Sequence, residues 1–468
     1  MKLFLADWIH LDRAFVPDAA VLVDDDGRIV AAGPRAAVRA RPDALAAEVV
    51  DLEGKALLPG TISAHSHSFQ VLLRGTSDHP ASFRDWVKQH LYPLVERLDH
   101  ESLEAGALLC FAQMARAGVT SVGEFHYLQN APDDYAPDAD RLAEIVIGAA
   151  RRVGIRIAFL RAIYDVQERF GQARMVEPPA QSAEHIRALA ARYRDDPFVH
   201  VMPAPHSLHG ATREAIELGA GLARELGTRW HIHLAEQRGD VGYAERFHQA
   251  TPLRVLDRWG LVDERLVAVH GIWLDAGEQK LLAERKAALV SNPSTNQILG
   301  DGIAPLSELV ALGVPVALGT DLNQSPSVFQ EMRQAEMLQR VHHLRMGMIP
   351  TAGGGAPDPQ RLFDMGTRHG ATVLDLAAGV LEPGRYFDAV ALDLSDPSLL
   401  PGSLLGGAAI LSAVTCCVVG KSAVRDTFVG GRPVIRDGKL VNLTWLEVVE
   451  RLKKAKALPR LEGVPGAT

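Results

Sequence analysis

The amino-acid sequence predicts an α/β protein, namely a (β/α)8 TIM barrel with a small β-sandwich domain formed from both chain ends. From residue 58 onward, apolar strand-like runs alternate with helical stretches rich in Ala, Arg, Glu and Leu. This alternation is typical of a parallel sheet with crossover helices. Eight such runs occur, which is the strand number of the barrel. In order they read LLPGTISAH, VTSVGEF, RIAFLRAIY, FVHVMPAP, RWHIHLAE, RLVAVHGI, AALVSNPS and VPVALGTD.

The two chain ends share a different pattern, that of short strands joined by turns. VLVDDDGRIVAAG is typical of a hairpin around Asp26-Gly27, and DAVALDL and VRDTFVGGRPVIRDGKL bring strands back near the other end. We therefore expect residues 1–57 and 377–440 to form the sandwich and residues 58–376 to form the barrel. Residues 441–468 are expected to form a C-terminal helix and tail.

The composition restricts the class of protein. At 468 residues the chain exceeds what one hydrophobic core usually serves. The formal charge of −8 arises from interleaved acidic and basic residues, which argues against binding nucleic acid or an anionic membrane. The three cysteines fit neither a disulfide framework nor a zinc knuckle, and no stretch reaches about 20 uncharged apolar residues. We expect a cytoplasmic homodimer that binds a small molecule.

Polar residues fall at the ends of several runs. Active sites in this fold lie at the carboxyl ends of the strands, so these residues are candidates for chemistry. They are His65 and His67 in the first run, His206 after the fourth, His233 and Glu236 in the fifth, His270 in the sixth and Asp321 in the eighth.

A metal site is the simplest explanation of this set. Residues two apart on a strand point to the same side, so His65 and His67 can both face one ion. A histidine from the fifth run and Asp321 from the eighth would complete the ligands. Imidazole and carboxylate suit Zn²⁺, with Fe²⁺ as an alternative. In the fifth run His231 and His233 lie on the same side, so the pattern leaves open which of them binds.

Each remaining candidate also has a purely structural alternative. Glu236 fits a surface residue after a strand, His270 fits a core position in an apolar run, and Asp321 fits a turn or a helix N-cap. Their convergence on the ends of different strands favours chemistry over these separate explanations.

The same residues lie in motifs that resemble the amidohydrolase superfamily, in its metal-dependent deaminase branch. The motifs are LLPGTISAHSH, HLAE, AVHG, SNPSTNQILGDGIAP, GTD and LEPGRYFDAVALD. The resemblance implies that His65, His67, His233 and Asp321 bind the metal and that His231 is structural. It also implies catalytic roles for Glu236, His270 and Asp321.

The number of metals follows from one absence in the sequence. Some amidohydrolases bridge two metals with a carbamylated lysine on the fourth strand. No lysine occurs between Lys88 and Lys280, which excludes that bridge. We therefore expect one divalent metal.

Further details are similar to N-formimino-L-glutamate deiminase, namely HSHSFQ, EFHYL, APHSL, HLAEQ and LGDGI. This resemblance implies that Gln70, Tyr127 and His206 face the substrate. That family has a carboxylate-binding arginine where this chain has His209, so His209 is a candidate substrate residue that departs from the pattern. PLVERLD and Leu73-Arg74-Gly75 resemble deaminases of adenosine-type and triazine substrates instead.

The implied reaction is attack of an activated water on an sp² carbon that carries an amino or imino group. Asp321 and His270 would take the proton of the water, and Glu236 would protonate the nitrogen that leaves. One alternative is hydrolysis of another C–N or C–X bond, as in purine, triazine or S-adenosylhomocysteine-type deaminases and carbamate or halide hydrolases. A third interpretation is a non-catalytic metal-binding scaffold. The presence of Glu236 and His270 together with the candidate ligands disfavours it.

Overall fold

The structure is a computed structural model that describes residues 1–167 and 172–458. Its strands, in chain order, are β1 Lys2–Leu11, β2 Ala14–Val23, β3 Ile29–Pro34, β4 Glu48–Pro59, β5 Thr61–Ser66, β6 Val119–His126, β7 Arg156–Ile163, β8 Val199–Pro205, β9 Trp230–Leu234, β10 Leu266–His270, β11 Ala288–Ser291, β12 Val316–Leu318, β13 Ala389–Asp393, β14 Val424–Val429, β15 Arg432–Arg436 and β16 Lys439–Leu440.

The helices connect and cover these strands. In chain order they are α1 Arg35–Arg39, α2 Phe83–Trp86, α3 Tyr92–Arg97, α4 His100–Arg116, α5 Ala139–Val153, α6 Pro179–Arg192, α7 Arg213–Leu226, α8 Arg238–His248, α9 Pro252–Arg258, α10 Ala276–Glu284, α11 Pro293–Leu299, α12 Leu306–Ala311, α13 Val328–His343, α14 Gln360–Met365, α15 Arg368–Val373, α16 Gly407–Cys416 and α17 Trp445–Lys454. Short 3₁₀ or π turns lie at Pro42–Ala44, Ser68–Leu73, Val87–Leu91, Gln172–Arg174 and Gly402–Leu404.

Strands β5 to β12 pair in parallel as two four-stranded sheets, β5-β6-β7-β8 and β9-β10-β11-β12. The two sheets meet at both pairs of edges. His233 N donates to His206 O at 3.0 Å beside β8, and Asp321 N donates to His65 O at 3.0 Å beside β5. Each of the eight predicted runs contains all or most of one of these strands. Within the first run, however, residues 57–59 belong to β4, because they pair with β13.

The parallel strands are largely apolar because both of their faces are covered. Every residue of β6 and β7 is buried, as is typical of a sheet enclosed by helices. Gly154 after α5 and Gly227 after α7 adopt φ of 102° and 72°, a left-handed conformation that glycine tolerates. These helices therefore end abruptly and return the chain to the next strand.

The small domain is built from both chain ends, as the sequence predicts, but its strands form one sheet. The order is β16-β15-β14-β13-β4-β1-β2-β3, and the twelve-residue β4 pairs with both β1 and β13. This long strand joins the halves that a sandwich would keep apart. The sheet is curled. Phe4 on β1 and Phe428 on β14 have ring centroids 5.2 Å apart, although two strands, β4 and β13, lie between β1 and β14 in the sheet.

The C-terminal segment contains helix α17, which begins at a capping box between Thr444 and Glu447. The predicted tail beyond residue 458 lies outside the described residues. Among the described helices, none combines the length and the apolar character that a membrane crossing requires.

Candidate functional site

Three histidines and one aspartate face each other where β5, β9 and β12 end. His65 Nε2 and His233 Nε2 are 3.2 Å apart. Asp321 Oδ1 lies 3.8 Å from His65 Nε2 and 3.5 Å from His67 Nε2. All four side chains are buried, His233 at 9% exposure and the others below that value.

Backbone carbonyls determine which ring nitrogen faces the centre of this group. His67 Nδ1 donates to Phe125 O at 2.8 Å, and His233 Nδ1 donates to His206 O at 3.0 Å. The proton therefore lies on Nδ1, and the lone pair of Nε2 points inward, as in histidines that bind metals. Burial lowers the pKa of His67 to about 4 and that of His233 well below its usual value. Both rings are neutral at pH 7.

The spacing of the donors fits a small divalent cation. A tetrahedral ion with Zn–N bonds of about 2.0–2.1 Å holds neighbouring donor atoms roughly 3.3 Å apart. The distances of 3.2, 3.5 and 3.8 Å lie close to this value. Two overlapping groups, His65 with His67 and His233, and His65 with His270 and Asp321, each lie within 4.8 Å. The residues present therefore fit a single metal ion.

Glu236 and His270 lie beside the candidate metal ligands. His270 Nε2 is 3.7 Å from Glu236 Oε1 and 3.8 Å from Asp321 Oδ2. Burial raises the pKa of Glu236 well above its usual value, with further contributions from Asp301, Asp240 and Asp321. Burial also raises the pKa of Asp321 to about 8, with a contribution from Glu331. Glu236 therefore holds a proton to higher pH than an ordinary glutamate does, which suits it to act as a general acid.

The backbone is unusual at the strand ends that carry these groups. His270, Asp321 and Asn323 have φ of 75°, 47° and 58°, in the left-handed region that residues other than glycine rarely adopt. Ala235, between His233 and Glu236, has φ of 51°. Such conformations are held against a local cost and cluster at functional sites.

Asn323, which was not among the residues predicted from the sequence, connects the two strand ends that carry candidate ligands. Its Nδ2 donates to Asp321 O at 2.8 Å, to His67 O at 3.2 Å and to Ser66 Oγ at 3.1 Å. Arg74 donates to the Asn323 carbonyl. The available signal was the position of Asn323, two residues after the candidate ligand Asp321.

Two asparagines that were also not predicted from the sequence lie beside the His270 ring. Asn296 Oδ1 and Asn292 Nδ2 lie 3.4 and 3.3 Å from His270 Nδ1. Helix α11, which carries Asn296, is held by buried Glu331, whose oxygens accept from Ser294 N at 2.9 Å and from Ser294 Oγ at 2.5 Å. The motif SNPSTNQ contained both asparagines, but their partner could not be deduced from spacing.

The predicted substrate residues lie around the candidate metal ligands. Gln70 Nε2 donates to Tyr127 OH at 2.7 Å, and the Tyr127 ring centroid is 5.1 Å from that of His67. The half-buried His206 has its ring 4.9 Å from that of His233. His209 lies farther out, with 39% of its side chain exposed and Nδ1 3.4 Å from Asp240 Oδ1.

His231, the alternative to His233, has another partner. Its Nε2 donates to Val373 O at 2.9 Å, and it belongs to neither group of candidate ligands among the described residues. This geometry favours a structural role for His231.

Known proteins are similar to this chain over most of its length. The amidohydrolase family matches residues 56–439. The 5'-deoxyadenosine deaminase of Methanothermobacter thermautotrophicus is 31% identical over 413 residues, which cover 87% of this chain and 88% of that protein. A 5-methylthioadenosine/S-adenosylhomocysteine deaminase of Nitratidesulfovibrio vulgaris is 30% identical over 449 residues, which cover 95% and 93% of the two chains.

Solved structures are also similar to this chain over nearly its whole length. An adenosine deaminase from Xanthomonas campestris with bound zinc has a TM-score of 0.82 and 26% identity, and 97% of each chain is covered. An atrazine chlorohydrolase from Arthrobacter aurescens has a TM-score of 0.84 at 20% identity, covering 98% of this chain and 100% of that chain, which shows the fold alone.

These findings confirm the predicted deaminase branch, while the closer resemblance to N-formimino-L-glutamate deiminase is not supported by these relatives. Because the family match covers most of the chain, the chain belongs to the amidohydrolase family and is a hydrolase that acts on carbon–nitrogen bonds.

Proposed function

We propose that this protein is a single-metal deaminase that removes the 6-amino group of an adenosine derivative, with zinc as the metal. His65, His67, His233 and Asp321 would hold the ion. The observation that carries this proposal is the placement of Glu236 and His270, 3.7 Å apart, against the inward-facing donor set. A divalent cation bound there supplies a Lewis acid that makes water nucleophilic near neutral pH.

The side chains of this site can move the protons that hydrolytic deamination requires. Water adds to the ring carbon, the C–N bond breaks, and the products are the oxo compound and ammonia. Asp321 Oδ2 and His270 Nε2 are placed to take the first proton of the water. Glu236 Oε1 donates a proton to the ring, receives one from the water and passes it to the departing nitrogen.

Two observations support an adenosine derivative as the substrate class. The relatives that cover most of the chain are named as deaminases of 5'-deoxyadenosine and of 5-methylthioadenosine or S-adenosylhomocysteine. In addition, acidic residues surround the site on the β9 side, where Glu236 lies near Asp240 and Asp301. Such a site favours a neutral substrate over an anionic one.

N-formimino-L-glutamate is the second candidate substrate, because HSHSFQ and EFHYL place Gln70 and Tyr127 in hydrogen-bond contact beside His67. The substitution at His209 weakens this candidate. His209 faces Asp240, and Arg74, which could otherwise bind a carboxylate, is engaged by Gln113 and Asn323.

A panel of substrates tests the proposal. Zinc-loaded protein is assayed for ammonia release from adenosine, 5'-deoxyadenosine, 5'-methylthioadenosine, S-adenosylhomocysteine, N-formimino-L-glutamate and an aminotriazine. We expect the highest kcat/KM for an adenosine derivative, with the matching inosine as product. Efficient turnover of N-formimino-L-glutamate without reaction of any adenosine derivative would overturn the assignment.

We also propose that β5 to β12 close into one barrel. Its range differs from the expected 58–376 only at the start, because residues 58 and 59 lie in β4 and belong with residues 1–57 and 377–440 in the small domain. The edge-to-edge hydrogen bonds and the fold of the similar structures support this division. The homodimer expected from the sequence stays a prediction, which light scattering of the purified protein would test.

A further inference from the structure

Asp301 is a buried acidic residue beside Glu236 that has no role in the reaction described above. It lies shortly after α11, and its backbone N donates to Asn296 O at 3.0 Å. Its Oδ1 accepts from the Nε2 of Gln237, the residue that follows Glu236. The residue is only 2% exposed. The Asp301 carboxyl group is therefore held between the loop after β9 and the loop after α11.

The second carboxyl oxygen of Asp301 is buried without a partner. Across residues 1–167 and 172–458, no donor lies within hydrogen-bond distance of Oδ2. Buried acceptors are almost always paired, so an unpaired one next to a reaction site indicates the position of a ligand donor. Because Asp301 Oδ1 holds the side chain of Gln237, the residue next to Glu236, the Asp301 carboxyl group lies on the Glu236 side of the site, and its charge contributes to the raised pKa of Glu236.

We infer that Asp301 Oδ2 accepts a hydrogen bond from the amino group that leaves, and thereby selects amines over halide and alkoxy leaving groups. This inference rests on the proposed deaminase function. The 6-amino nitrogen carries two N–H groups and gains positive charge as Glu236 protonates it. A carboxylate oxygen beside it satisfies one N–H and favours that charge. A chloro or methoxy group has no N–H to donate.

The ionised form of Asp301 is the one that the reaction favours. Burial, Asp321 and Asp240 raise its pKa to about 8. A divalent cation and a protonated leaving nitrogen both oppose this rise, because nearby positive charge stabilises a carboxylate. Oδ2 therefore acts as an acceptor when the nitrogen is being protonated.

The substitution Asp301→Asn reverses the hydrogen-bonding character of this one atom. Gln237 Nε2 still requires an acceptor, so the amide oxygen of the new side chain stays on Gln237. Its NH₂ group then takes the place of Oδ2 and meets the substrate amine donor to donor. Asp301→Ala removes the acceptor without adding a donor, so its effect is expected to be smaller.

The test compares the best adenosine derivative with its 6-chloro analogue, using zinc-loaded protein. We expect Asp301→Asn to lower kcat/KM for the amine by roughly 10- to 100-fold and that for the chloride by less than about threefold. Zinc content and thermal unfolding are measured for each variant. If Asp301→Asn fails to fold, the ratio of kcat/KM for the amine to kcat/KM for the chloride is measured in Asp301→Ala instead, and a smaller change is expected there.

Asp240→Asn is the matched control, because it removes a nearby charge whose oxygens are already engaged. Asp240 Oδ2 accepts from Gln237 N at 2.9 Å, and Oδ1 lies 3.4 Å from His209 Nδ1. The amine-to-chloride ratio should be unchanged in this variant. Equal loss for both substrates in Asp301→Asn, or the same ratio change in Asp240→Asn, would overturn the inference alone. Wild-type protein that deaminates no adenosine derivative would instead overturn the proposed function.

Discussion

Two buried polar clusters in this chain have opposite electrostatic arrangements. Where the barrel meets the small domain, Arg156 pairs with Asp388 through Nε and Nη2 at 2.6 and 3.1 Å, and Gly430 N donates to Asp388 at 2.7 Å. The Arg156 guanidinium also stacks on Tyr386 at 3.9 Å. At the functional site, in contrast, Glu236 and Asp321 have no arginine or lysine partner among the described residues, and their ion-pair contacts are with histidines.

The contrast separates stability from function. A buried ion pair whose partners are all satisfied holds two parts of a fold together, and removing one partner is costly. Carboxyl groups buried without a cation are unfavourable for folding, but their raised pKa values suit them to bind a metal or carry a proton. The first cluster should therefore control unfolding and the second should control turnover.

The largest change in turnover is expected for Glu236→Gln. The amide keeps the size of the side chain but cannot carry the proton, so turnover should fall by roughly 10²-fold or more. Zinc content and the unfolding temperature should stay near those of the wild type, because Glu236 is outside the candidate ligand set. The measurements are ammonia release, elemental analysis and calorimetry. Near-normal turnover would contradict a proton-carrying role.

Arg156→Met should show the reverse pattern. Asp388 would remain buried without its cation, so the free energy of unfolding should fall by about 3–5 kcal/mol. At a temperature where the variant is folded, kcat should change little. Arg187→Met is the control, because its partner Glu225 is 48% exposed and surface pairs contribute about 0–1 kcal/mol. Urea unfolding measures the free energy of unfolding of both variants. Equal destabilisation by the two variants would remove the contrast.

A smaller change, in substrate preference, is expected for His209→Arg. A planar arginine can form two charged hydrogen bonds with a carboxylate, which the histidine cannot do. The variant should gain on the order of tenfold or more in kcat/KM for N-formimino-L-glutamate. Adenosine derivatives serve as the reference substrates. A wild type that already turns over N-formimino-L-glutamate efficiently, without a gain from arginine, would show that the argument from the missing arginine is wrong.

The smallest effect concerns the stability of the metal-free protein as pH rises. Burial raises the pKa of Asp321 to about 8 and those of Glu124 and Glu331 to about 7. Between pH 6.5 and 8.5 the folded state therefore holds more protons than the unfolded state, and stability falls as pH rises. The loss is on the order of 1 kcal/mol for each group. Zinc favours ionised Asp321, so the loaded protein should lose less. A loss as large in loaded as in metal-free protein would contradict this.

The positions of the barrel strands could be predicted because these strands are buried on both faces and read as short, largely apolar runs. The arrangement of the small domain could not, since the pairing of β4 with both β1 and β13 joins residues far apart in the sequence. Periodicity within a strand carries no information about which strand lies next to it. This is why residues 58 and 59 were expected to belong to the barrel, although they lie in β4.

The candidate ligands could be predicted because they end strands whose carboxyl ends share one rim. Asn323, Asn296 and Asp301 could not, because their roles arise from hydrogen bonds between loops that the sequence separates. The substrate class was left open for the same reason. It depends on which loop side chains face the leaving group, and strand patterns do not determine that.

The most direct test of the account is a zinc titration of chelator-treated wild-type protein, followed by ammonia release from 5'-deoxyadenosine. With one ion held by His65, His67, His233 and Asp321, activity should rise linearly and reach its plateau at one equivalent per chain. Asp321→Ala should bind zinc weakly and remain inactive throughout. Full activity without metal, or a plateau only at two equivalents, would contradict the account.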